Sequence, residues 1–376
     1  MSKERIYYLD KIKILLCILV IGLHTSIAYG GSGMWYYNEH TDSTFVGLIF
    51  TIYDAICQSF FMGLFFFISS YFVSRSYEKK GPVKFLKDRF IRLGLPLLFF
   101  FFILNPTTMY FIEHFSEKSN YSYISWLIYC ISHFENLGTG PLWFVEALLI
   151  FNTAYVIYRI FTKSRNNISH QKSIPSNRQI LILNLAIGFI AFLVRIFYPT
   201  GKEFLSLQLG YFTQYIALFI VGIISYENNW LKQITKECAD FWLKIAGISC
   251  VVILPFMFLG GITENVEPFL GNLHWQALVY AMWEPFMCIG ISLKLITFFR
   301  DNYSNTTGSI FSKLGQDTFT VFIIHAPVSV FLECILIPLT IHPFIKFAIV
   351  VISTCLICFS LSHYLLRKVP VLKNIL

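Results

Sequence analysis

Ten stretches of this chain are apolar enough, over a long enough run, to cross a lipid bilayer. They fall near residues 12–30, 46–74, 94–113, 142–161, 179–198, 208–226, 240–259, 274–298, 315–338 and 344–366. A span needs roughly 17–25 mostly apolar residues, because about 30 Å of hydrocarbon must be crossed at 1.5 Å per residue. In hydrocarbon every backbone N–H and C=O must be satisfied internally, so runs of this length can only be helices. The expected fold class is therefore an all-α polytopic membrane protein, a bundle of about ten transmembrane helices. Composition agrees: only 13% of residues are charged and 18% are aromatic, against about 25% charged in soluble domains.

The net charge of +8 has a positional explanation. If the N-terminus is cytoplasmic, 21 of the 29 Lys and Arg residues fall in inside segments, whereas Lys118 and Lys202 alone fall in outside loops. That asymmetry is the signature of an N-in, C-in topology and removes the case for nucleic-acid binding. Tyr123–Phe134 is too short to span and is expected at the interface. Residues 162–178 read as a cytoplasmic linker inside one membrane domain covering 1–376, and Asn120-Tyr121-Ser122 fits a glycosylation sequon. A cleaved signal peptide at the first run is outweighed by the nine runs that follow. The nine cysteines lie mostly inside apolar runs, where they behave as small hydrophobes.

Within the first span, Lys13 and His24 are eleven residues apart, three helical turns plus about 20°, so they share a face with about 16 Å of rise between them. A cation at the membrane mouth and an imidazole deep on the same stripe suit the two ends of a long, thin, anionic ligand. The alternative for His24 is a neutral histidine bonded to a neighbouring helix. Ionisable groups inside spans usually face a cavity or a partner, and a neutral imidazole can take a proton from a hydroxyl. Arg89 and Arg92 are three apart on one helix face and lead into the third span. Guanidiniums there can fork phosphate oxygens, although lipid headgroups and topology account for the basic stretch around them equally well.

Softer candidates follow. Asp10, near the start of the first helix, either caps it or orients Lys13. Trp143 and Glu146 open the fourth span, where an interfacial Trp is ordinary and a Glu is less so. Asp54 and Gln58 share a face of the second span and suit polar contacts between helices. The outer loop WYYNEHTD (35–42) suits either sugar stacking or an interfacial aromatic belt. His325, in the ninth span, is read first as a structural hydrogen-bonding residue. The sequence contains neither a Gly-x-Ser-x-Gly elbow nor a paired His–Glu metal motif, so neither a covalent serine intermediate nor a metal site is expected.

YLDKIKILLCILVIGLH, with a basic residue, ten intervening residues and a histidine at Lys13 and His24, resembles the opening of the acyltransferase 3 family of integral-membrane enzymes. Arg-x-x-Arg at Arg89 and Arg92 matches its second hallmark. FFFISSYF (65–72) is similar to its Phe-rich stretch, with Ser70 where the family usually has Gly. GPLWFVEALLIF (140–151) and TFTVFIIHAPVSV (318–330) resemble later segments, the second containing His325. The opening and second span are most similar to the branch that modifies periplasmic glucans. The resemblance implies an acyl-coenzyme A donor held at its phosphates by Lys13, Arg89 and Arg92. It also implies catalysis at His24 on a hydroxyl of an extracytoplasmic glycan, with Asp10, Trp143, Glu146 and His325 in supporting or acceptor-side roles. Acetyl is the expected acyl group and succinyl the second. The competing expectation is a transporter or flippase for a lipid-linked sugar. Such proteins usually carry repeated halves and broken helices at the midplane, and neither is visible in the sequence.

Overall fold

The computed structural model describes residues 6–116, 122–162, 171–304, 310–369 and 372. Lys118, Asn120 and Tyr121 of the sequon, and 163–170 of the expected linker, lie outside them. Eleven helices form the frame: α1 (Tyr7–Ala28), α2 (Thr44–Tyr71), α3 (Val73–Phe115), α4 (Tyr123–His133), α5 (Trp143–Phe161), α6 (Asn177–Phe197), α7 (Phe212–Glu227), α8 (Lys236–Leu259), α9 (Trp275–Tyr303), α10 (Ile310–Ile335) and α11 (Pro343–Tyr364). All but the short α4 contribute to ten candidate spans, and no strand is present among the described residues.

The third span extends well beyond the expected 94–113. The basic stretch before it is itself helical, interrupted at Gly81-Pro82. Two π-helical turns, Phe90–Gly94 and Phe100–Leu104, each lie just before a proline, Pro96 and Pro106. Proline lacks the N–H that would bond four residues back, and its ring crowds that carbonyl, so the preceding turn widens. Arg89 and Arg92 flank the start of the first widened turn.

The chain divides into two compact units. The first comprises Met1–Ile12, Gln58–Leu86 and Phe151–Thr306. Its helices approach closely at small residues, as membrane helices do when packing rather than hydrophobicity holds them together. A side chain at Gly222 of α7 would meet the Phe67 carbonyl and the Ser70 hydroxyl of α2. The close approach expected of a glycine at position 70 is thus supplied by Gly222, and Ser70 turns its hydroxyl to the Phe67 carbonyl at 3.0 Å. Arg195 of α6 and Glu284 of α9 form a fully buried ion pair at 2.5 Å. The Arg195 Nε donates to the Gly210 carbonyl, and Tyr211 and Tyr280 present ring faces to the guanidinium. Gln58 donates to the Tyr215 hydroxyl at 3.1 Å.

The second unit comprises Lys13–Cys57, Lys87–Ile150 and Thr307–Leu376. Helix α1 ends where Gly30 takes a positive φ of 123°, which a residue with a side chain rarely adopts. The Gly31 N–H then bonds to the Ser26 carbonyl and the Glu39 N–H to the Ala28 carbonyl, so the following loop folds back on the helix end and satisfies its carbonyls. Ala28, Tyr29, Tyr37, Val46, Phe50, Leu336 and Val350 form an apolar cluster beneath that loop. Midway along α1, the Cys17 thiol contacts the Thr318 carbonyl of α10. Asp317 beside it is buried and accepts from Ser362, with His363 and Arg367 alongside.

Candidate active site

Every candidate residue except Asp10 and Gln58 belongs to the second unit. Asp10 sits in the first turn of α1, where a carboxylate faces the positive end of the helix dipole.

His24 and His325 come together. Their rings lie nearly parallel, 5.5 Å apart between centroids, and Trp35 stacks on His24 at 3.9 Å and 15°. Trp35 and His325 are themselves 6.4 Å apart and nearly parallel, so the three rings form one aromatic group. The Nδ1 of His325 lies 2.8 Å from the Phe322 carbonyl. A carbonyl can only accept, so Nδ1 carries the proton and Nε2 presents a lone pair. The structural bond expected for His325 is therefore present, and its second nitrogen remains available. The His325 Nε2 and the His24 Nδ1 are both buried without a hydrogen-bond partner among the described residues. Buried polar atoms are normally paired, and orphans of this kind mark a place for a ligand or water.

Glu146 opens α5 beside Thr139, and its Oε2 is a further buried atom without a partner among the described residues. Phe144, two residues earlier, packs edge-on against Phe322, the residue whose carbonyl holds His325. Trp143 is half-buried next to it and meets the Phe144 ring edge-on. Arg89 and Arg92 are close enough to feel each other's charge, and Arg92 is exposed. Lys13 is half-buried one turn before Cys17. Lys13 and His24 are separated by about three turns of α1. Among the described residues no three His, Cys, Asp or Glu side chains are grouped to hold a metal ion.

The loop 35–42 takes a more internal role than sugar stacking or an interfacial belt. The Trp35 indole N–H donates to both carboxylate oxygens of Glu333 at 3.0 and 3.3 Å. The Tyr36 hydroxyl donates to Asn105, whose amide donates to the Asn136 carbonyl at 2.8 Å. Glu39 accepts from the buried Lys346 at 2.7 and 2.9 Å and from the Tyr37 hydroxyl at 3.1 Å. Burial and the Glu39 carboxylate together hold the Tyr37 phenol well above the usual tyrosine range. Only the tip of the loop, with Asn38, His40 and Asp42, is fully exposed. Asp54 likewise serves α1, accepting from the Ser26 hydroxyl.

Glu333, Asn105 and Lys346 were not legible as site residues. A carboxylate inside the ninth apolar run is the signal that points to Glu333, since intramembrane charges are costly and rarely idle. Gly140 closes the wall opposite Tyr36. Its φ is +44°, and a side chain there would run into the Tyr36 hydroxyl and the Phe100 ring. Replacing Gly140 with Ala is expected to cost about 1–3 kcal/mol through backbone strain and displacement of Tyr36. A fall in the thermal midpoint of the detergent-solubilised protein checks this, and an unchanged midpoint counts against the contact.

Glucans biosynthesis protein C of Shigella dysenteriae serotype 1 is 28% identical over 253 residues, covering 61% of this chain and 60% of that protein. The protein of the same description from Escherichia coli (strain K12 / DH10B) is 27% identical over the same length. The chain thus aligns with about three-fifths of the curated relatives it matches. No solved structure matches. The family model described as an acyltransferase domain matches residues 6–363, nearly the whole chain and all of the ring cluster, and the chain belongs to this acyltransferase 3 family of membrane proteins.

Proposed function

We propose that this membrane acyltransferase moves an acyl group, acetyl foremost and succinyl second, from acyl-coenzyme A to a hydroxyl of an extracytoplasmic glycan, with His24 as the general base. The reading places the chain in the bacterial cytoplasmic membrane with both termini inside, as the Lys and Arg distribution favours. The observation that carries it is the pair of unpartnered imidazole nitrogens, on His24 and His325, buried in one stack of rings. Relatives described as glucans biosynthesis proteins favour a glucan as the acceptor.

The acceptor hydroxyl would attack the thioester carbonyl while His24 takes its proton. Collapse of the tetrahedral intermediate then breaks the C–S bond. The coenzyme A thiolate leaves, and the proton held by His24 returns to it. The Nε2 lone pair of His325 would accept a hydrogen bond from a neighbouring hydroxyl of the sugar and so orient the ring, the one proton of the attacking hydroxyl going to His24. Glu146 would hold a second hydroxyl of the sugar. Lys13, about three turns of helix from His24 and so at a distance suited to the pantetheine arm, would grip the donor phosphates together with Arg89 and Arg92.

The test uses purified protein reconstituted in vesicles, labelled acetyl-coenzyme A and a linear glucan. Label recovered covalently on glucan supports the proposal. Movement of glucan across the vesicle without label would overturn it in favour of a transporter. Replacing either Arg89 or Arg92 with Gln is expected to raise the KM for acyl-coenzyme A about ten- to a hundredfold, since a charge-assisted phosphate contact carries about 1.5–3 kcal/mol. kcat at saturating donor should stay within a few fold. An unchanged donor dependence would remove the phosphate role.

A further inference from the structure

Glu333 has no place in the chemistry just described, yet it is fully buried in the ninth span, at 0% exposure. A buried carboxylate is expensive unless its oxygens are bonded. Here both oxygens receive the Trp35 indole N–H, and Trp35 is the ring that covers His24. The bond joins residues 298 positions apart and fixes the indole in the plane that makes the 3.9 Å stack possible. The indole edge is held by Glu333 and its neighbour Tyr36 by Asn105, so the roof has little freedom to tilt.

We infer that Glu333 is a positioning residue for the proposed base: by anchoring the Trp35 indole it fixes the roof over His24 and with it the orientation of the imidazole. It touches neither substrate and acts only through Trp35. The inference rests on His24 being the functional centre, but the anchor itself is a physical contact with its own readout.

That readout is the rate at which diethylpyrocarbonate carbethoxylates His24, followed by mass spectrometry on the detergent-solubilised full chain. Glu333→Leu removes the acceptor and Trp35→Phe keeps an aromatic roof without the N–H. Each is expected to raise the His24 rate about tenfold, the factor equivalent to 1.4 kcal/mol of lost anchoring. Because both delete the same bond, adding Glu333→Leu to Trp35→Phe should change the rate no further. Glu333→Gln retains an acceptor oxygen and should stay within about threefold of the parent in both carbethoxylation and kcat. In the transfer assay, Glu333→Leu should lower kcat per folded molecule, with the folded fraction measured separately, while leaving the KM for acyl-coenzyme A unchanged.

Additive effects of Glu333→Leu and Trp35→Phe would overturn the inference, as would a Glu333→Gln protein as impaired as Glu333→Leu. If the parent chain transfers no label, the proposed function fails while the carbethoxylation series still decides the anchor. A normal transfer reaction with no change in His24 reactivity sinks the anchor and leaves the function standing.

Discussion

Replacing His24 with Ala is expected to lower acyl transfer by about 100- to 10,000-fold, the range that a positioned general base contributes. The loss should fall on kcat, because the donor phosphates are assigned to Lys13, three helical turns from His24, and to Arg89 and Arg92. The protein itself should survive. His24 makes no hydrogen bond among the described residues, so its removal costs the stack with Trp35, about 0.5–1.5 kcal/mol beyond the buried area. Initial rates of label transfer, read beside a thermal midpoint and binding of acyl-coenzyme A, separate the two effects. A well-folded His24→Ala protein with its rate intact would move the base elsewhere. His325→Ala should have a smaller effect, because the residue is assigned a hydrogen-bond-accepting role and not the proton transfer.

The largest stability effect is expected in the other unit, at Arg195. The guanidinium and the Glu284 carboxylate are 1% and 5% exposed and meet at 2.5 Å. Removing one member of a buried pair strands the other charge without compensation, which costs about 3–5 kcal/mol. Arg195→Met alone should therefore reduce the thermal midpoint sharply and lower the folded yield in membranes. Arg195→Met combined with Glu284→Leu should recover much of the loss, since two apolar side chains leave no charge behind. Equal damage from the single and double replacements would show that the Gly210 and tyrosine contacts of Arg195, not its charge pairing, hold α6 in place.

The two residues illustrate how far the sequence could be read. Arg195 and Lys346 stand out at once as cations inside apolar runs, because hydrophobicity is a local property of the chain. Their partners, Glu284 and Glu39, are 89 and 307 residues away, and periodicity carries no information about which helix becomes whose neighbour. The span count was legible for the same local reason. The length of α3 was not: a polar, basic stretch gives no hydropathy signal, yet it continues as helix up to the membrane run. At the candidate site, His24 stood out as an ionisable group inside an apolar run, and its spacing to Lys13 put the two on one helix face. His325 carried a plain structural expectation, which the Phe322 bond meets, but its stacking on His24 depends on tertiary packing. The loop aromatics were legible as important and misread in direction. Tyr36 and Tyr37 find Asn105 and Glu39, and the indole of Trp35 faces inward on His24, where surface patterning alone suggests outward display.

The fastening of that loop also has a consequence for biosynthesis. Trp35 and Glu39 emerge early, but the groups that hold them, Glu333 and Lys346, are translated about 300 residues later. At 5–20 residues per second the ribosome takes about 15–60 s to supply them. During that interval the loop lacks both of its late anchors, and a polypeptide released early from translation would leave Trp35 and Glu39 unfastened.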